Sequence, residues 1–325
     1  MMLKFEMTEE QIDKIKGVFF GQAIGDALGL GTEFLNKSQI GAYYPNGIST
    51  YNQIIQDKHR VRWAKGDWTD DTDQFLCICK SILETRKVDE LAFAKELYKW
   101  FKGTPMGIGR TVYKVVSLPQ FTLFPHKGAK LVWKLLKKQN ASNGAIMRTS
   151  ILGTYQFWDY LQVEVNTQKI AKVTHWDDRC VGSCVIVTKI IAHLINVNKL
   201  LIADEIIDIG EHYSPEIKIF VEKALSHDIE YLQLDEPVSI GYTLKALSAG
   251  LWAYFNAKNF EEGLLKVVNE GGDADTNASV ACSLLGAKFG YSAIPPHLIL
   301  GLNNYPYLES MFELYIEMLS NEALN

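Results

Sequence analysis

Four glycines spaced by four, Gly17, Gly21, Gly25 and Gly29, run down one side of the first helical stretch and restrict what this chain can fold into. Each costs roughly 1 kcal/mol of helix propensity relative to alanine, so the stripe is worthwhile only if another element packs closely against it. The stretch opens with Thr8-Glu9-Glu10-Gln11, a capping box that satisfies free amides at a helix start. Ile12, Ile15, Val18, Phe19, Ala23, Ile24, Ala27 and Leu28 give it an apolar side. This is a helix meant for burial. Asp26 interrupts the stripe, and a buried carboxylate needs partners; it is either a structural hydrogen-bond hub or, the reading we prefer, outer support for a functional site. The helix runs out in Gly29-Leu30-Gly31-Thr32-Glu33-Phe34, a glycine-rich segment that can present Glu33 to a cavity.

Residues 36 to 66 hold turn signals such as Pro45-Asn46-Gly47 and Lys65-Gly66 without a sustained period, and read as a loop, a candidate lid. Helical spacing returns from 73 to about 86 and from 88 to 101 until Gly103-Thr104-Pro105-Met106-Gly107-Ile108-Gly109 breaks it. That loop lacks the preceding strand and following Gly-Lys pair of a phosphate-binding P-loop. After a helix over 127 to 138, Ala141-Ser142-Asn143-Gly144-Ala145-Ile146-Met147-Arg148 reads as a turn followed by a helix start, where backbone amides could hold an anion such as diphosphate. A helix from about 167 leads into Thr174-His175-Trp176-Asp177-Asp178-Arg179, where His175 is either a satisfied structural histidine or a contact to a ribose or an adenine. Residues 180 to 197 are apolar and helical, Ser214-Pro215-Glu216 caps a further helix, and 241 to 255 and 260 to 268 complete the run. Period-2 strands are nearly absent. The expected fold is all-α, a compact orthogonal bundle of roughly a dozen or more helices forming one domain over 1–325, without internal repeats.

With 47% hydrophobic residues in 325, the chain can bury a large core. Its formal charge of -5 and the lack of an outstanding basic run argue against direct nucleic-acid binding. No apolar stretch reaches transmembrane length, and Met1-Met2-Leu3-Lys4-Phe5-Glu6 lacks a secretory apolar core, so a cytoplasmic protein without a membrane partner, and a monomer, is expected. Cys77, Cys79, Cys180, Cys184 and Cys282 lie in apolar helical stretches without zinc-type spacing, as reduced core residues do.

Two acidic clusters carry the chemistry. Gly271-Gly272-Asp273-Ala274-Asp275-Thr276-Asn277 precedes a run of small residues of helical length; its glycines allow a tight turn and close approach to a ligand, and its carboxylates sit at i and i+2. Trp68-Thr69-Asp70-Asp71-Thr72-Asp73 likewise precedes the apolar Phe75-Leu76-Cys77-Ile78-Cys79. Either cluster alone resembles an ordinary helix cap. Together they hold more carboxylates than capping needs, and uncompensated they repel one another. Asp273, Asp275 and the Thr276 hydroxyl form half of an oxygen shell suited to magnesium, manganese or calcium, and the upstream cluster supplies the other half. Two clusters suggest two metals.

In order along the chain, Gly25-Asp26-Ala27-Leu28-Gly29 with Glu33, Thr69-Asp70-Asp71-Thr72, Asn143-Gly144 with Met147-Arg148, Thr174-His175 and Gly271-Gly272-Asp273-Ala274-Asp275-Thr276-Asn277 resemble the ADP-ribosylglycohydrolases, over most of the sequence. The resemblance implies an all-helical fold with a binuclear magnesium centre, manganese being an alternative, at the base of a cleft. It implies hydrolysis of the bond between ADP-ribose and an acceptor, on a protein or a small molecule. Thr69, Asp70 and Asp71 would bind metal from one side and Asp273, Asp275 and Thr276 from the other. Glu33 matches the near-metal glutamate and is the first choice for proton transfer, with Asp71 and Asp273 as alternatives. Asn143, Gly144, Met147, His175, Gly271 and Gly272 would line the ligand, and Asp26 would support the centre. Met106-Gly107 stands before Ile108-Gly109 where arginine-directed members often carry an acidic residue, a departure that bears on the acceptor. Two rivals remain open: a non-catalytic ADP-ribose-binding module, and an all-α magnesium-diphosphate enzyme of the isoprenoid-synthase type, whose aspartate clamps are spaced more widely and lie within helices.

Overall fold

The glycine stripe meets its partner near the far end of the chain. In a computed structural model, which describes residues 7–322, the first helix, α1 (Glu9–Gly29), runs antiparallel to Ala274–Phe289. A Cβ added at Gly17, Gly21, Gly25 or Gly29 would lie 2.3, 2.1, 2.2 or 2.4 Å from the carbonyl oxygen of Gly286, Cys282, Ala278 or Ala274. The two backbones therefore touch at four successive turns, a contact that any side chain on the stripe would prevent. Thr8 and Gln11 form the expected capping box at the start of α1.

Fifteen α-helices and no strands occur among the described residues, with a single bridge joining Ser142 and Tyr242. After α1 come α2 (Lys37–Tyr43), α3 (Asp70–Thr85), α4 (Glu90–Lys102), α5 (Arg110–Val116) and α6 (Pro125–Leu135). Then follow α7 (Tyr160–Ala171), α8 (Asp178–Val197), α9 (Ala203–Glu211) and α10 (Glu216–Ala224). The last are α11 (Thr243–Asn256), α12 (Phe260–Val268), α13 (Ala274–Phe289), α14 (Pro296–Leu300) and α15 (Tyr305–Glu322). α13 packs against α1, α8, α11 and α12, and is buried along almost its whole length, as expected of a helix without a polar face.

The differences from the sequence reading have local causes. α3 begins at Asp70 rather than 73 because the acidic motif itself forms the first turn, with Thr69 as N-cap. α7 begins at Tyr160, where the Asp159 carboxylate accepts the Gln162 amide at 3.0 Å; exposed Leu161 and Val165 blur its apolar period. The turn at 143 to 148 runs into the short 3-10 segment Ser150–Gly153 and not into an α-helix. Segment 36 to 66 contains α2 and two 3-10 turns. α8, contrary to expectation, is long and apolar enough by composition to cross a membrane, but 78% of its most apolar window is buried inside the molecule, where it serves as a core helix. All five cysteines are buried and free.

Candidate active site

Three helix ends converge on one place: the C-terminal end of α1 and the N-terminal ends of α3 and α13. Asp26 ties the first two together. Its Oδ1 accepts the Thr69 amide at 3.0 Å, and its Oδ2 accepts the Thr72 amide at 2.9 Å and the Thr72 hydroxyl at 2.6 Å. This carboxylate thus caps α3 from another helix, a hub that fixes the turn bearing Asp70 and Asp71. Asp73 takes no part in the cleft, since its two oxygens accept the indole N–H groups of Trp68 at 3.0 Å and Trp100 at 2.9 Å.

The second half is anchored by Gly271 and Gly272, with φ of 75° and 69°. A Cβ at Gly271 would lie 2.2 Å from the Leu35 oxygen, and one at Gly272 2.0 Å from the Leu234 oxygen. The Phe34 amide donates to the Gly272 oxygen at 2.6 Å, and the Gly272 amide donates to the Leu35 oxygen at 2.9 Å. The two glycines therefore lock the Glu33 turn to the Asp273 turn. The cleft is lined by neither of them. Phe34 is itself left-handed, φ 60°, with a half-exposed ring.

Between these halves opens a cleft of about 920 Å³. Thr69, Asp70, Asp71, Asp273, Asp275 and Thr276 line it together with Glu33, Asn143, Gly144, Met147 and His175. Glu33, Asp273 and Asp275 present carboxylate oxygens within 4.8 Å of one another. The Asn143 amide donates to Asp273 Oδ2 at 2.7 Å. Gln74 donates to Asp70 Oδ2 at 2.8 Å and accepts from the buried Arg148 guanidinium. Arg148 also donates to the Thr174 oxygen. Because a guanidinium only donates, that hydroxyl is free to give its own proton to His175 Nδ1, 2.8 Å away, leaving Nε2 to donate to Ser142 at 3.0 Å. Burial and the Arg148 charge push His175 down to about 3, so it is neutral. Nε2 thus braces the 142 to 144 turn through Ser142, while Nδ1 is held by Thr174.

The 36 to 66 segment supplies residues that sequence reasoning missed. His59, Arg62 and Trp63 line the cleft beside Glu33. Arg60 is fully buried, with Nε donating to the Leu30 oxygen at 2.8 Å and to the Gly31 oxygen at 3.0 Å, and Nη2 donating to the Glu33 oxygen. A usable signal was the run Lys58-His59-Arg60-Val61-Arg62-Trp63, dense in cations and aromatics within a stretch otherwise made of turn residues.

The acidic groups are held under strain. Burial, with neighbouring carboxylates adding to it, pushes Asp71 and Asp275 well above the usual range and Asp70 to about 7. Burial raises Asp273 to about 6, aided by Glu33, and Asp26 to about 6 against the opposing Thr72 and Thr69 hydrogen bonds. Oδ1 of Asp71 is buried without a hydrogen-bond partner in the protein. An orphaned hard oxygen inside a ring of mutually repelling carboxylates fits a divalent cation, which satisfies the one and neutralises the other. Without metal, the folded protein binds protons between about pH 4 and 7 that the unfolded chain has released, so its stability falls as pH rises through that window. In EDTA the protein should melt several degrees higher at pH 5 than at pH 7.5, and added magnesium should remove most of the difference. Melting curves by scanning fluorimetry check this; a metal-free protein at least as stable at pH 7.5 as at pH 5 contradicts it.

The family model described as ADP-ribosylglycohydrolase matches residues 7–323. The chain is 28% identical over 296 residues to the ADP-ribosylarginine hydrolase Tri1 of Serratia proteamaculans, covering 88% of this chain and 74% of that protein. It is 27% identical over 285 residues to the ADP-ribosyl-dinitrogen reductase glycohydrolase of Rhodospirillum rubrum, covering 87% of this chain and 88% of that one. A solved structure described as an ADP-ribosylglycohydrolase-related protein complex matches at a TM-score of 0.74, covering 96% of this chain and 100% of the other at 23% identity, a likeness of fold.

Proposed function

The chain belongs to the ADP-ribosylglycohydrolase family, enzymes that hydrolyse ADP-ribose conjugates, and from that premise we propose that it removes ADP-ribose from an acceptor with the help of two divalent cations, magnesium or manganese. The observation that carries the metal reading is the buried, partnerless Asp71 Oδ1 among carboxylates that repel one another. Thr69, Asp70 and Asp71 would hold metal from the α3 side, and Asp273, Asp275 and Thr276 from the α13 side. Bound there, the cations would supply charge compensation and a grip on the ribose hydroxyls.

The protein's own groups divide the remaining work. Breaking a glycosidic bond leaves positive charge on the anomeric carbon and negative charge on the departing atom. Glu33, with its carboxylate beside Asp273 and Asp275, takes a proton from the attacking water, whose oxygen bonds to the anomeric carbon while the acceptor departs with the bonding pair and a proton from solvent. Asn143 steadies Asp273, and Asp26 steadies the Thr69 turn. The names of the two relatives point to arginine or dinitrogen reductase as acceptors worth testing first.

A panel of arginine-linked, serine-linked and polymeric ADP-ribose, assayed with and without exhaustive EDTA treatment, tests the proposal. Turnover of at least one conjugate, abolished by EDTA and restored by magnesium or manganese, is expected. Calorimetry should show ADP-ribose binding the metal-loaded protein more tightly than the metal-free one. Full activity after chelation, with no divalent ion found by metal analysis, refutes the metal role; binding without turnover of any conjugate would make this a binding module.

A further inference from the structure

His59 closes on Glu33 from the cleft mouth: its Nε2 lies 2.6 Å from Glu33 Oε2. On the other side of the ring, Arg62 Nη2 lies 3.1 Å from Nδ1. A guanidinium has donors only, so Nδ1 must accept. The ring proton then sits on Nε2 and is donated to Glu33. We propose that His59 is a positioning residue for the hydrolysis, anchoring one oxygen of the Glu33 carboxylate so that Glu33 works as the base, with Arg62 fixing the histidine tautomer. This rests on Glu33 handling the proton in the function proposed above.

The surroundings hold this relay in place. Arg62 Nε donates to the His59 oxygen at 3.2 Å and Nη1 to the Met106 oxygen at 3.0 Å, while its guanidinium lies 4.5 Å from the centre of the Trp63 ring. The His59 ring packs 5.3 Å from that of Phe34 and 5.5 Å from that of Trp63. Below it, Arg60 fixes the Glu33 backbone. Histidine, arginine and glutamate are thus joined at side chain and main chain alike. The chemistry follows from donor counting. A Glu33 proton donated along this bond would need a free Nε2 lone pair, and Nε2 already carries the proton; Oε2 is therefore the acceptor here, and Oε1 is left to take a proton from water as the water oxygen bonds to the anomeric carbon.

Two measurements test this. Nitrogen-proton correlation spectra of the wild-type histidine rings, with His59→Gln identifying the signal, should show His59 as the Nε2–H tautomer, and Arg62→Met should release it into a mixture. On the conjugate of the panel that wild type cleaves fastest, His59→Ala should lower kcat about 10- to 100-fold, the usual effect of removing a group that orients a site residue, with KM within about twofold. His59→Gln, whose side-chain N–H can replace Nε2–H, should recover most of the loss, and melting temperatures should stay at the wild-type value. An Nδ1–H tautomer in the wild type overturns the proposal, whether or not the alanine variant folds. So does an alanine variant with normal kcat when Glu33→Gln has lost turnover, or a glutamine variant as slow as alanine. If Glu33→Gln itself keeps full turnover, the fault lies instead with the assignment of Glu33 on which the relay depends.

Discussion

Glu33→Gln is expected to slow turnover on the order of 10²- to 10⁴-fold, the usual contribution of a general acid or base, while ADP-ribose binds with close to wild-type affinity. The substitution is isosteric, so the glutamine oxygen can still accept from His59, and the turn stays pinned by the Phe34 amide on Gly272 and by Arg60 on the Glu33 carbonyl. What disappears is the ability to take a proton. Stopped-time assays of the loaded enzyme read the rate, and calorimetry with ADP-ribose reads the affinity. A rate within a few-fold of wild type would pass the proton to Asp71 or Asp273. Loss of binding instead would mean that Glu33 is mainly a ligand contact.

Gly25→Val is expected to abolish folding. Its Cβ would stand 2.2 Å from the Ala278 oxygen, 2.5 Å from the Ala278 carbonyl carbon and 2.8 Å from the Ser279 nitrogen, all backbone atoms of α13 that cannot swing aside. Overpacking in cores typically costs 1–3 kcal/mol when side chains can yield; here the helices themselves must separate, so even Gly25→Ala should lose about 3 kcal/mol or more. Gly41, an exposed residue in α2 with nothing within 4 Å of its added Cβ, provides the opposite sign. Gly41→Ala should gain about 0.5–1 kcal/mol through helix propensity and a less flexible unfolded chain. Denaturant melts of the three variants decide the matter; a Gly25→Ala protein as stable as wild type would show that α1 and α13 are not held at backbone contact.

Much of this architecture was legible because its signals are local or periodic. The stripe at 17, 21, 25 and 29 announced a close helix partner, the apolar positions at helical spacing announced burial, and the paired acidic clusters announced a common site. What the stripe could not say was which helix it meets, since nothing near Gly25 in sequence encodes Ala278. The same limit hid the role of Gly271 and Gly272. They read as room for a ligand, whereas the atoms that require them to be glycine are the carbonyls of Leu35 and Leu234, remote in sequence. His175 read equally well as contact or core, and the choice turns on Ser142, which the fold brings to Nε2, and on Arg148, which the fold brings to the Thr174 hydroxyl that meets Nδ1. His59 and Arg62 lay in a stretch without period, where order comes from the buried Arg60 gripping the end of α1. Asp26 was the exception. A lone carboxylate among the buried residues of an apolar helix demanded donors, and it found three at the start of α3, on the N-cap Thr69 and on Thr72.

The pairing of α1 with α13 also sets a timetable for the nascent chain. Gly25 and Ala278 are separated by about 250 residues, which at the usual 5–20 residues per second is on the order of 10–50 s of synthesis. Throughout that interval the first helix has left the ribosome with Ile15, Val18, Phe19, Phe20 and Ile24 unburied and with four glycines lowering its own tendency to stay helical. It can neither fold alone nor pair early, and contacts of such long sequence separation form slowly even once both partners exist. Any message truncated before residue 274 therefore yields a product with no partner for that surface. Translation, more than intrinsic folding speed, fixes the earliest moment at which the two halves of the acidic centre can meet.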